Sequence, residues 1–375
     1  MTHFSEKRKL MDYQSNWKED LPKDKSLPLV QILLKGYGQV MMCSNATTGA
    51  YLFLAMLLVS YQIALLSLIG VFISSMTAYL LWARPFHVNS GLYGYNGAVL
   101  GIAWPWLFPL TPLSIIIFLV LSSLSSVILK FLTERSIRTR INLPVLTTPA
   151  LILVWLVFFI IQIFPQFHEL PGPDKIIVRY TTDFNSNLIA LLGKEWTWNN
   201  VAWGLKIFQK HLLVFVLILC GVYKHSRIST MVILVSTLFT CLLVYLAGGL
   251  LALGMIDEYF YNAVPCAAAL SGVLLVYNRS TIFLSLAAVV IVVGVVYLGI
   301  HFAPFPVFIA PFNLVILSLY FLVKQRILNR ARGFYAVPTE LIYNPETGLG
   351  WLQGEIFAKN FWEDVEKRWP KVNPS

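Results

Sequence analysis

The sequence predicts an all-α membrane protein: ten transmembrane helices plus two re-entrant half-helices, arranged as two inverted repeats around a central pore. Composition is the first reason. Of 375 residues, 57% are hydrophobic and only 12% charged, with a mean hydropathy of +0.70, a profile that belongs to multi-span membrane proteins rather than to soluble domains. The second reason is the stretch Gly91-Leu92-Tyr93-Gly94-Tyr95-Asn96-Gly97-Ala98-Val99-Leu100-Gly101. The apolar run it opens, residues 98–107, is about half of what ~30 Å of hydrocarbon requires. The third is repetition. Tyr79-Leu80 returns as Tyr245-Leu246, and Tyr95-Asn96 as Tyr261-Asn262, both at an offset of 166 residues. Pro144-Val145-Leu146-Thr147-Thr148-Pro149 returns as Pro306-Val307-Phe308-Ile309-Ala310-Pro311 at an offset of 162. Three ordered landmarks argue for an internal duplication, and an odd number of spans per copy turns the second copy over.

Taken in order, residues 1–30 form a cytoplasmic N-terminal arm. Its first 27 residues are polar, hold Lys7-Arg8-Lys9 and lack an apolar core, so no cleaved signal peptide is expected. Residues 31–165 form the first transmembrane repeat. Its first helix, residues 29–43, is short or broken because Lys35, Gly36, Gly38 and Gln39 interrupt it. The apolar run 49–84 suffices for two spans turning near Ser60-Tyr61-Gln62. The glycine-rich half-helix follows, then a span over 113–132 ending in Lys130, Arg135, Arg138 and Arg140, then a span over 149–164. Residues 166–199 are an outer connecting loop, 200–326 the second transmembrane repeat, and 327–375 a cytoplasmic C-terminal tail with a short surface helix over 355–368. Ten spans return both termini to one side, which the basic arm and Lys324, Arg326, Arg330 and Arg332 mark as cytoplasm. Lys224 and Arg227 carry the opposite bias. The expectation is a multi-pass protein of the plasma or inner cell membrane.

Several classes are excluded. The net charge of +10 comes from short basic clusters beside apolar runs, a topology signal rather than a nucleic-acid footprint, so lipid bilayer and no nucleic acid is expected as partner. Cys43, Cys220, Cys241 and Cys266 lie scattered in apolar segments and read as small hydrophobes. His87, His168, His211, His225 and His301 are isolated, with no H-E-x-x-H or paired carboxylates in a span, so no metal, cofactor or enzymatic role is expected. Two readings of the glycine stretch stand side by side: a half-helix beside a wet cavity, or glycines that let ordinary helices pack closely.

The string Gly91-Leu92-Tyr93-Gly94-Tyr95-Asn96 resembles the G-L-[YFW]-G-[YF]-N signature of the urea transporter family. In the same order, Leu34-Lys35-Gly36-Tyr37-Gly38-Gln39-Val40 resembles its L-R-G-x-G-Q-V, Pro144 to Pro149 its P-x-[LF]-T-x-P, and Val337-Pro338 with Asn344-Pro345-Glu346 its tail pattern. The resemblance runs from about residue 31 to 350 and weakens in the second half. It implies a homotrimer whose subunits each pass urea, or a similar small solute, down its gradient without ion coupling. By the same resemblance Gln39, Thr147, Tyr95 and Tyr261 bind substrate, while Met42, Asn96, Val99, Asn262, Pro265 and Ile309 line the pore or support the half-helices.

Urea is flat and neutral, with four N–H donors and one carbonyl. Each polar group stripped of water and left unpaired costs roughly 1–3 kcal/mol, so a path for urea needs acceptors along one edge and apolar walls on its faces. Thr147 Oγ1 and Gln39 Oε1 can accept, and Tyr95 and Tyr261 can form walls. Each residue also has a local reading: Thr147 bonding back to its own helix, Gln39 as helix–helix glue, the tyrosines as packing, Asn96 and Asn262 as caps of the half-helices. The second half departs from the pattern. Ile309 stands where a second Thr is expected, Met42 where an aromatic is usual, and residues 201–207 lack a second Gln. Pro265 replaces an aliphatic wall residue, and Asp257-Glu258 replace Gly-Leu. The acidic pair reads either as a cation-concentrating mouth or as a solvated helix start. Rival functions are therefore passage of a short amide or ammonia through the same fold, or a transport-impaired homologue.

Overall fold

The computed structural model describes residues 27–108, 110–138, 143–163, 212–252, 256–302 and 307–328. These form twelve α-helices: α1 (Leu29–Val40), α2 (Ala46–Val59), α3 (Tyr61–Leu80), α4 (Pro85–Asn89), α5 (Gly94–Leu107), α6 (Pro112–Arg138), α7 (Thr148–Ile163), α8 (Leu212–His225), α9 (Arg227–Ala252), α10 (Ile256–Ala268), α11 (Arg279–Phe302) and α12 (Ala310–Leu328). A π-helical turn, Ala269–Val273, continues α10. Residues 1–26 of the arm, the outer loop, residues 329–375 of the tail and residues 201–207 lie outside the described residues.

The architecture corrects the sequence expectation of ten spans and two re-entrant half-helices around a pore. Among the described residues, four helices are long and apolar enough to cross a membrane: Tyr61–Leu80, Pro112–Ser136, Arg227–Leu246 and Arg279–Ile300. Several apolar segments form helices too short to cross a membrane. The run 49–84 breaks at Ser60, whose extended backbone (φ −163°, ψ 129°) caps α2 and starts α3. That leaves α2 with 14 residues, roughly 21 Å of helix. Similarly α7 has 16 residues, about 24 Å. These, with α8 and α12, form a shorter class of apolar helices. Four apolar spans still make this a multi-pass membrane protein.

The 14-residue helix α5 settles the two readings of the glycine stretch in favour of close packing. A Cβ on Gly97 would collide with the Gly70 carbonyl of α3, and one on Gly101 with the Leu66 carbonyl. Backbones of α3 and α5 therefore touch without intervening side chains, which is what small residues allow. Gly91, at a left-handed φ of 79°, turns the chain into α5 against the backbone of Lys35 and Gly36, a conformation natural to glycine. Beside the α3–α5 contact a serine seam joins α3 to α6. Ser74 Oγ donates to Ser122 O at 2.8 Å and Ser126 Oγ to Ser74 O at 2.7 Å. Trp104 Nε1 donates to Ser114 Oγ at 2.8 Å and fixes α5 to the start of α6.

One large apolar core runs through both halves, from Tyr37, Leu52 and Met56 to Ile218, Phe260, Val292 and Phe312. Its first joint is α2 against α8, where Thr48 Oγ1 donates to Gly221 O at 2.7 Å. Smaller clusters unite α3, α5, α6 and α7 around Leu100, Trp104, Phe118 and Leu153, and Ala78, Tyr93, Tyr95 and Leu129 nearby. In α10, Pro265 removes one helical N–H, and the widened turn after it closes with Leu274 N–H donating to Ala269 O at 2.8 Å. Among the described residues no cysteine forms a disulfide, and Cys220 is exposed rather than buried as the sequence suggested.

Candidate functional site

Two short turns organise the polar interior. The first, Val145-Leu146-Thr147, enters α7; the second, Val307-Phe308-Ile309, enters α12. Leu146 and Phe308 both adopt left-handed φ values, 51° and 45°, a costly conformation for a non-glycine residue that surrounding contacts must hold. Both helices carry proline at their second position, Pro149 and Pro311, which lacks one of the N–H groups a helix start leaves unpaired. The next N–H is taken by a distant asparagine. Asn96 Oδ1, from α5, accepts from Ala150 N–H at 3.3 Å. Asn262 Oδ1, from α10, accepts from Phe312 N–H at 3.1 Å. Both asparagines are fully buried, and they cap the neighbouring helices α7 and α12 rather than the helices that carry them.

The two turns are secured differently. Asn262 Nδ2 donates to Phe308 O at 3.0 Å. At the first turn Tyr95 takes the corresponding carbonyl, its phenol donating to Leu146 O, and Asn96 Nδ2 is left without a hydrogen-bond partner among the described residues. Tyr95 is thus a buried strut between α5 and the entry to α7.

Between the turns lies a polar contact joining the halves. Thr147 Oγ1 donates to Asn313 Oδ1 at 3.1 Å, and Asn313 Nδ2 lies 3.0 Å from Thr147 Oγ1 as a donor. Asn313 Nδ2 also reaches Ile309 O at 3.3 Å. Both side chains are buried, at 8% and 4% exposure. Thr147 therefore bonds across the molecule and not to its own helix. Asn313 is the residue that sequence reasoning missed. Its separation from Thr147 is 166 residues, the offset of the tyrosine pairs, whereas the proline motif with its offset of 162 directed attention to Ile309, one helical turn earlier.

The remaining candidates are more dispersed. Gln39, in the last turn of α1, donates through Nε2 to Ser90 O at 3.1 Å, a carbonyl that also accepts from Ser44 Oγ at 2.9 Å. This joins α1 to the end of α4. Met42 follows in a left-handed turn (φ 58°) and packs against the large core. Val99 is buried in the α3–α5–α6–α7 cluster with Leu66 and Leu100. Ile309 and Tyr261 are half-buried, as is Pro265 within α10. The backbones of Asp257 and Glu258 lie in the first turn of α10, while their side chains, and His168 and His211, fall outside the described residues. Among the described residues no group of three or more His, Cys, Asp or Glu side chains is placed to hold a metal.

The model of the family described as Urea transporter matches residues 30–324. The chain belongs to the urea transporter family. Its members are transport proteins, not enzymes. This family member is 30% identical over 146 residues to Urea transporter 1 of Ovis aries, a match covering 36% of this chain and 35% of that protein. The same identity and coverage hold for Urea transporter 1 of Mus musculus, and 29% identity over the same length for that of Rattus norvegicus. The chain thus spans about a third of the length of the curated relatives it matches.

Proposed function

We propose that this member of the urea transporter family passes urea down its concentration gradient, passively and without ion coupling. The observation that carries the reading is the buried Thr147–Asn313 contact, a pair of side chains able to exchange hydrogen bonds with a small solute. A neutral solute needs no charged residue there, and from Val40 to Ala83 there is none. Thr147 is the principal substrate contact, and Gln39, Tyr95 and Tyr261 shape the route to it, with Met42, Asn96, Val99, Asn262, Pro265 and Ile309 as its supports. The assembly is a homotrimer in the plasma or inner membrane, both termini cytoplasmic.

A short amide is the second reading, favoured by Ile309, whose half-buried aliphatic side chain stands where a second hydroxyl is expected. Urea uptake into proteoliposomes tests the first reading against empty vesicles. Thr147→Val is expected to cut uptake at least several-fold, following loss of a buried hydrogen-bond partner, with size-exclusion behaviour unchanged. Absence of urea uptake by the unmodified protein would remove the reading.

A further inference from the structure

The proline motif aligns Ile309 with Thr147, so the second half lacks a hydroxyl at that turn. The structure supplies a different group one helical turn on, and resting on the transport reading above we infer that Asn313 is a specificity-determining residue that selects solutes bearing both a carbonyl and an N–H. Its side chain meets Thr147 Oγ1 with both ends of the amide, Oδ1 at 3.1 Å and Nδ2 at 3.0 Å, while Nδ2 also reaches Ile309 O at 3.3 Å. With no solute present, the Thr147 hydroxyl and the Asn313 amide satisfy each other, so neither side chain of the pair is left unpaired.

A solute entering between them has to replace what it separates. The Asn313 Nδ2–H and the Thr147 hydroxyl proton need an acceptor, and Asn313 Oδ1 needs a donor. Urea and acetamide bring a carbonyl oxygen for the first two and an N–H for the third. An amine brings donors and, once protonated, no acceptor at all. It leaves the protein's own donors unpaired in a buried setting, where a missing partner is penalised far more than a present one is rewarded. A threonine at 309 would offer a hydroxyl free to rotate as donor or acceptor. The amide at 313 cannot rotate its oxygen into a donor, so it reads the order of carbonyl and N–H in the solute.

The test is uptake of urea, acetamide and methylamine, at one pH and above empty vesicles, into proteoliposomes holding the full chain or its Asn313→Leu and Asn313→Ala variants. The unmodified protein should favour both amides over methylamine. Asn313→Leu should lower that preference by about tenfold or more, the discrimination one hydrogen-bonding group can supply; Asn313→Ala serves the same comparison if the leucine variant does not fold. A folded variant with an unchanged amide-to-amine ratio overturns the assignment of Asn313 and leaves the transport reading standing. Acetamide uptake without urea uptake by the unmodified protein removes urea as the solute but supports Asn313 as an amide selector. No uptake of any of the three overturns both.

Discussion

At positions 96 and 262 an asparagine carbonyl reaches across to the N–H that follows the proline at the start of α7 or α12, but only Asn262 also spends its amide N–H, on Phe308 O. Asn262→Ala therefore strands the buried Phe312 N–H and the part-buried Phe308 carbonyl, and Asn96→Ala the Ala150 N–H alone. At about 1–3 kcal/mol per stranded group, the first should destabilise by roughly 2–6 kcal/mol and the second by about half of that. Thermal unfolding of both variants in the same detergent checks the order, and equal losses would contradict the bonding described. The two asparagines were visible in the sequence as repeated Tyr-Asn pairs. Their task was not, because each partner lies at least 46 residues away along the chain and no periodicity encodes it. Asn313 was hidden for a related reason: the proline motif pairs Thr147 with Ile309, as the matching left-handed turns at Leu146 and Phe308 do, and the amide that meets Thr147 stands one helical turn beyond that counterpart.

Helices α3 and α5 meet backbone to backbone at Gly70 and Gly97. Gly97→Ala brings a methyl onto a carbonyl that cannot swing away, so it should cost several kcal/mol, about the scale of core overpacking or more, and deplete folded protein. Gly294 in α11 has open space where its Cβ would be, and Gly294→Ala should be neutral or stabilise by up to about 1 kcal/mol through helix propensity. Fluorescence-detected size exclusion after heating compares the pair; tolerance of Gly97→Ala would mean the two helices are not in register as described. Glycine spacing in the sequence left a half-helix and close packing both open there, and the family signature marked the same residues without deciding between them. Helix length was less legible. The turn near Ser60-Tyr61-Gln62 was legible as a polar interruption of the run 49–84, whereas hydropathy did not show that the 14-residue helix before it falls short of a span.

Viewed whole, the molecule turns a broad apolar surface outward. On α9, Met231, Val235, Leu238 and Leu242 are 51–65% exposed and recur at spacings of three and four, so they lie along one side of the helix. Such a face is stable only against lipid or another protein surface. Leu238→Lys should lower the membrane-inserted fraction, by about 2.5–3.5 kcal/mol if that position sits mid-bilayer, while Leu238→Phe should leave it unchanged; carbonate extraction of membranes measures both. Full insertion of the lysine variant would place this side against water. Composition made the membrane setting plain at once, whereas the number of spans did not follow from it.

Among the described residues the halves are also joined by the hydrogen bonds of Thr48 with the Gly221 carbonyl and of Thr147 with Asn313, over a core common to both. A hybrid that grafts residues 27–163 onto the latter part of another polypeptide keeps one member of each contact and discards the other. Such exchanges should succeed only when both contacts travel together, so that positions 147 and 313 form one heritable unit despite the distance between them along the chain.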